Sequence, residues 1–275
     1  MTSHRHGGTR RAWADPARAL RDFARQTLAI VVVEVHKVAR DPAELLMRSV
    51  QPTLWLLVFG QVFARARAIP TGALGYLDFL APGVLAQSVL FSSIFYGIAL
   101  IWERDLGILQ TMLVSPAYRS ALVLGKAASA GVRALAQTVV IVLVAVLLGI
   151  DLRFDPAALL GVAAVVVLGA ALFSTLSLVI ACVVKTRERF MGIGQVITMP
   201  LFFASNAIYP LELMPGWLRA ITHVNPLTYL VDALRGLMLR GGTSSFGLGI
   251  DLAVLLATLA VLVAIAARLY PRAAV

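Results

Sequence analysis

The most constraining feature of this chain is a series of long runs without a charged residue, over 49–64, 79–102, 134–150, 156–184, 190–211 and 252–267. A hydrocarbon core about 30 Å thick needs about 20 apolar residues of helix to cross it. The runs at 79–102, 156–184 and 190–211 reach that length outright. The other three reach it by taking in Arg48, Arg133 or Asp251, whose charged ends can snorkel towards the headgroups. Six membrane-spanning helices are therefore expected, over about 47–64, 77–101, 121–149, 156–184, 190–209 and 248–268. Composition agrees, since only 14% of the residues are charged, against about 25% in a soluble domain. The implied fold class is an all-α polytopic membrane protein with a single transmembrane domain over 46–270.

The distribution of positive charge indicates orientation. With both ends in the cytoplasm, 18 Lys and Arg fall inside and 6 outside, the latter being Arg65, Arg67, Arg153, Arg219, Arg235 and Arg240. Long tails carry little weight in this rule, and without the six arginines before residue 27 the split is still 12 to 6. Both termini are expected to be cytoplasmic. The formal charge of +10 then reflects orientation and anionic lipid rather than nucleic acid. No cleavable signal is expected, because the apolar stretch Leu28 to Val33 stops at Glu34. The sole cysteine, Cys182, lies in a span and reads as an apolar packing residue.

Three segments outside the spans have their own character. Residues 1–27 read as a flexible cytoplasmic tail, and 28–45 as an amphipathic interfacial helix. In the latter, Leu28, Val31, Val32, Val35, Val38 and Ala39 share one face, with Glu34, Lys37 and Arg40 elsewhere around it. The alternative is a cytoplasmic extension packed on its neighbours. In the inner loop 102–116, Glu103, Arg104 and Asp105 precede Gly107, Leu109, Met112 and Leu113 supply an apolar face, and Pro116 stops the element. It reads as a short amphipathic helix able to seat in a groove of a soluble partner, or as an ordinary charged loop.

Residues 210–240 are too long for a turn and too apolar for a simple loop. Pro215 can open one short helix, which carries Trp217. Asn225 as N-cap and Pro226 at the first helical position open another, with Tyr229, Asp232 and Arg235 along it. Neither piece can cross alone, so an outer re-entrant hairpin before the last span is expected. Asp232 and Arg235, three residues apart, either pair on the helix surface or serve a function.

Several chemistries find no support. A phosphate loop needs G-x-x-x-x-G-K-[ST], but Gly125-Lys126 is followed by Ala127 and Ser120 stands where the first Gly belongs. No Asp, Glu or His falls in the middle of an expected span, which weighs against a proton- or sodium-driven carrier. His4, His6, His36 and His223 are scattered, so no metal or catalytic cluster is indicated.

Two stretches carry a family resemblance. WERDLGILQTMLVSPAYRSALVLGK resembles the segment after the second span of ABC-2 type permeases, where charges, a Gly and a Ser/Thr-Pro bracket the coupling helix. YPLELMPGWLRAITHVNPLTYLVDALRGLML resembles that family's late signature, a Pro-rich outer turn followed by N-P-L-T-Y and D-A-x-R. The daunorubicin-resistance-like branch looks closer than the polysaccharide-exporter branch. The resemblance implies a permease subunit of an exporter, working with two copies of an ATPase subunit and a second permease, identical or homologous. Its substrate would be an amphipathic drug, lipid or glycolipid/polysaccharide-type molecule. It implies no cofactor on this chain, with ATP and Mg²⁺ on the partner ATPase, and a place in the cytoplasmic membrane of a prokaryote. It makes Glu103 to Pro116 the ATPase contact and Asn225, Pro226, Tyr229, Asp232 and Arg235 the outer re-entrant element. The competing expectations are an ion-gradient-driven secondary transporter and a non-transporting membrane assembly subunit.

Overall fold

Prolines and helix ends organise the architecture, because both leave backbone polar groups that a chain this apolar must satisfy internally. A computed structural model describes residues 42–67, 69–72, 74–95, 97–98, 101–102, 106, 119–184 and 186–269, with isolated helical positions at 32, 36 and 40. Among the described residues there is no strand, only an isolated antiparallel bridge between Leu152 and Leu239. Val32, His36 and Arg40 are helical and exposed; Glu34 and Lys37 lie outside the described residues.

The first helical run is continuous from Pro42 to Ala66 but not uniform. It comprises α1 (Pro42–Leu54), a π-helical segment (Trp55–Gly60) and α2 (Gln61–Ala66). Pro52 has no N–H, so the Arg48 carbonyl lacks its helical donor. Gln137 Nε2, from a neighbouring helix, donates to that carbonyl at 3.3 Å.

Helix α3 (Tyr76–Ile94) is the most enclosed, packing against α4 (Arg119–Leu147) and α5 (Pro156–Val183). It continues through Pro82 and Gly83, where a kink or loosening is expected from sequence. Gly83 permits a close approach: a Cβ there would stand 2.4 Å from the Ala207 carbonyl oxygen. The regular helix stops at Ile94, short of the 77–101 span expected, and a turn follows at Phe95. Helix α5 starts at Pro156, with Asp155 as N-cap accepting from the Ala158 amide at 3.1 Å. That backbone hydrogen bond, aided by Arg153, holds the Asp155 carboxyl below the usual carboxylate range.

Helix α6 (Arg187–Phe203) is capped by Thr186 and ends earlier than the 190–209 span expected. Pro200 sits in its last turn, and 204–210 forms a turn lying on α3. A 3₁₀ turn at Leu211–Leu213 leads into α7 (Gly216–Val224) and α8 (Pro226–Met238). Pro215 is the N-cap of α7, one residue outside the helix it is expected to open. The last helix, α9 (Leu248–Leu269), packs on α5 and α8. Among the described residues, four helices are long and apolar enough to cross a membrane: Tyr76–Ile94, Ala128–Leu147, Pro156–Val183 and Leu248–Leu269.

Contacts between helix ends establish how the bundle alternates. The Asp151 amide donates to Asp78 Oδ1 at 3.2 Å, and the Arg153 amide to the Met238 carbonyl at 2.8 Å. The start of α3, the turn between α4 and α5 and the end of α8 therefore meet at one end of the bundle. At the opposite end Ser177 of α5 donates to the Ile94 carbonyl and accepts from the Gly97 amide at 2.8 Å.

Gly83→Ala is expected to lower the thermal midpoint of the detergent-solubilised protein by several degrees, corresponding to about 1–3 kcal/mol of overpacking. A Cβ at Gly192 meets nothing within 4 Å. Gly192→Ala should therefore be neutral or stabilising by up to about 1 kcal/mol. Equal midpoints for the two variants would contradict the close α3 approach.

Candidate functional site

Asn225 positions the outer signature. Its side-chain Oδ1 accepts from the Leu227 amide at 2.9 Å, the N-cap bond expected from the Asn-Pro pair. The same side chain donates through Nδ2 to the carbonyls of Leu201 (2.6 Å) and Ala204 (2.8 Å). One residue thus starts α8 and satisfies the end of α6. Tyr229, buried on α8, donates from its hydroxyl to the His223 carbonyl at 2.7 Å, which fixes the angle between α7 and α8.

An apolar stripe of Leu227, Leu230, Val231, Leu234 and Met238 is what the sequence suggests for α8. All five are buried, but so are the polar positions between them. Asp232 and Arg235 are 0% and 5% exposed, so their pairing is not on a helix surface. Asp232 Oδ1 lies 3.8 Å from Arg235 Nη1. The guanidinium Nη2 also donates to the carbonyls of Asn206 (2.8 Å) and Phe79 (3.4 Å), and the group lies 4.0 Å from the Phe79 ring centroid. Such a cation–π contact gains weight where water is excluded.

The other Asp232 oxygen faces the segment before α9. Oδ2 accepts from the Phe246 amide and from Ser244 Oγ, each at 2.9 Å. Ser244 Oγ lies 2.7 Å from Asp251 Oδ2 and accepts from the Gly247 amide at 2.7 Å. One hydroxyl hydrogen therefore stands between two carboxylates, and Asp251 Oδ1 has no partner. Asp251 is fully buried, although its place near a span end suggests a residue that could reach the headgroups. The cluster ties α3, the 204–207 turn, α8 and α9 into one unit. A cavity of about 460 Å³ opens over it, between 70–74 and 210–213, with Arg235 in its wall.

The expected site residues separate into two groups. Asn225, Pro226, Tyr229, Asp232 and Arg235 come together on α8, whereas Pro215 and Trp217 lie on the exposed α7 side. Glu103, Arg104, Asp105, Gly107, Leu109, Met112, Leu113 and Pro116 lie outside the described residues. At the threshold of that segment Trp102 is described, with the Arg187 guanidinium 3.7 Å from its ring centroid. Sequence reasoning missed Ser244 and Asp251, which sit in a Ser/Gly stretch and a first helical turn that look like a linker and a span end. Among the described residues no group of three or more His, Cys, Asp or Glu could hold a metal ion.

Removing one member of a buried ion pair typically costs about 3–5 kcal/mol, because the other charge is stranded. Asp232→Leu and Arg235→Met are each expected to destabilise by about that much. The double variant should do better than the sum, with a favourable interaction energy of about 1 kcal/mol or more. Thermal unfolding of the four proteins in detergent measures this, and strictly additive effects would mean that the pair does not interact.

The chain resembles known proteins along most of its length. The family model described as ABC-2 type transporter matches residues 25–239, which takes in α1 to α8 and the inner loop. The transport permease ycf38 of Cyanophora paradoxa is 31% identical over 216 residues, covering 78% of this chain and 74% of that protein. The daunorubicin resistance ABC transporter permease protein DrrB1 of Streptomyces coeruleorubidus is 28% identical over 229 residues, 83% of this chain and 80% of that one. The inner membrane transport permease YadH of Escherichia coli K12 is 24% identical over 209 residues, 74% of this chain and 78% of its own. With its apolar helices, its short buried α8 and a family match over most of its length, the chain belongs to the ABC-2 type transporter family as a membrane-integral permease.

Proposed function

We propose that this chain is the permease half of an ATP-driven exporter, moving an amphipathic drug, lipid or glycolipid out across the cytoplasmic membrane of a prokaryote. The observation that carries this reading is the family match over 25–239, which includes both the 102–116 loop and the outer segment. The names of relatives such as the daunorubicin resistance permease favour the drug-efflux branch. In the working assembly two permeases, identical or homologous, meet two ATPase subunits, and ATP with Mg²⁺ is bound by the latter.

Six spans fit this reading. The helical run Pro42–Ala66 and helix α6 join the four longer helices, α7 and α8 form the outer re-entrant element, and both termini lie in the cytoplasm. Residues 28–45 then lie in the headgroup plane. The 102–116 segment takes the push of the ATPase as the coupling helix, with Glu103, Arg104 and Asp105 at its start. Trp102 stacked under Arg187 and Ser177 bonded at Ile94 and Gly97 support a route for that push into α3, α5 and α6. The polar cluster around Arg235 supports the opposite end as a rigid counterpart.

Purification from native membranes in mild detergent, with mass spectrometry of bound chains, tests the reading. A stoichiometric soluble subunit carrying G-x-x-x-x-G-K-[ST] is expected. Repeated recovery of the permease intact and alone would favour an ion-gradient carrier instead. Within the complex, Glu103→Arg should reduce export about tenfold or more, the rate change given by about 1.4 kcal/mol, with membrane insertion unchanged. Export at the wild-type rate in that variant would remove the coupling role.

A further inference from the structure

A second polar feature lies away from the α8 cluster, in a cleft between α1, α3 and α4. Its volume is about 140 Å³, and its walls include Arg48, Gln51, Gln87, Ser88, Phe91 and Gln137. That is room for several waters or one sugar-sized ring. Gln87 and Ser88 are each 3% exposed, yet Gln87 Oε1 and Ser88 Oγ have no hydrogen-bond partner. Unpartnered polar atoms at such depth are costly and call for an occupant that supplies the missing bonds.

Two comparisons within the bundle sharpen the point. Thr138, Thr175, Thr198 and Thr258 all return their hydroxyls to the carbonyl four residues back, the usual solution inside an apolar helix. Ser92, on the same cleft, bonds to the Val89 carbonyl. Ser88 makes no such bond. Gln137 Nε2 donates to the carbonyl that Pro52 releases, and Gln87 Oε1 receives no bond from it. Two residues of the cleft wall therefore carry an amide oxygen and a hydroxyl that have no hydrogen-bond partner.

The chemistry of the walls narrows the occupant. An amide oxygen accepts and cannot donate, so the group meeting Gln87 must bring a donor. Among the described residues of the wall none is acidic, so no carboxylate there would hold an ammonium group. A neutral hydroxyl-bearing head fits, with Phe91 and Phe95 among the lining residues to meet its apolar side. Pro52 and the π segment interrupt the regular hydrogen bonding of the first helical run, which forms one wall. The cleft also lies towards the end where α3 meets Ser177 and Trp102 follows, away from α8.

We propose that this cleft is a binding subsite for the neutral, hydroxylated head of an amphipathic molecule, held by Gln87 and Ser88 between α1, α3 and α4. The assignment deepens the exporter reading and rests on it for the view that the bound molecule is cargo.

The test uses the full chain in lipid nanodiscs, carrying Ser92→Cys as reporter with Cys182→Ser. N-ethylmaleimide labelling of the reporter is timed with dodecyl glucoside, with its permethylated form, and with dodecylammonium. The glucoside should slow labelling about fivefold, the effect of one net hydrogen bond, and the other two should not. Gln87→Leu should abolish the protection. Gln51→Cys serves as reporter if Ser92→Cys does not fold. Equal protection by all three amphiphiles would show only that a tail enters the cleft, and no protection would mean water alone. Either result, or protection that survives Gln87→Leu, overturns the subsite. A bound ATPase subunit with no protection would remove the subsite and leave the exporter. Selective protection in a permease that purifies alone would keep the subsite and remove the exporter.

Discussion

In a hydrocarbon setting each backbone N–H and C=O has to find its partner within the protein, and the difficult groups are those at helix ends and four residues before a proline. This bundle places a side chain at several of those points. Asn225 serves both the start of α8 and the end of α6. Gln137 of α4 covers the carbonyl that Pro52 frees in α1, and Ser177 of α5 closes the end of α3. Each of these bonds joins two helices while it satisfies one, so backbone accounting and tertiary packing are the same event. Short elements such as α8 and interrupted ones such as the 42–66 run persist because their neighbours finish their hydrogen bonding.

The polar contacts at the α8 end of the bundle reach several elements. Around Arg235 the contacts are polar, numerous and buried, reaching α3, the 204–207 turn, α8 and the segment before α9. Gly83 lets the 204–207 turn lie directly on α3, and the Leu152–Leu239 bridge adds a further tie. Towards the opposite end, regular α3 stops at Ile94, and among the described residues Ser177 and the Trp102–Arg187 stack tie it to α5 and α6.

Much of this was legible in the residues alone. The start of α5 at Pro156, the Asn225 cap and the apolar character of α8 follow from local rules, because a proline at a first helical position and an Asn before it act through their own backbone neighbours. Where local rules met tertiary contacts they gave way. Span 5 is expected over about 190–209 with an interruption at Pro200, but α6 ends at Phe203, where Asn225, distant in sequence, takes up the carbonyls of Leu201 and Ala204. Gly83 beside Pro82 suggests a kink; its purpose is the space for Ala207, which no pattern along the chain reveals.

By itself the sequence determined the membrane-embedded helical class, the general placement of the helices and, through two motifs, the family. These depend on hydropathy, charge and turn chemistry, which are properties of consecutive residues. Only the tertiary structure decided that Asp232 and Arg235 are buried, that Ser244 links Asp232 to Asp251, and that Gln87 and Ser88 face a cleft without partners. Those facts depend on which helices touch. A polar residue in an apolar run looks the same on paper whether it faces lipid, a neighbour or a cavity, and only packing distinguishes them.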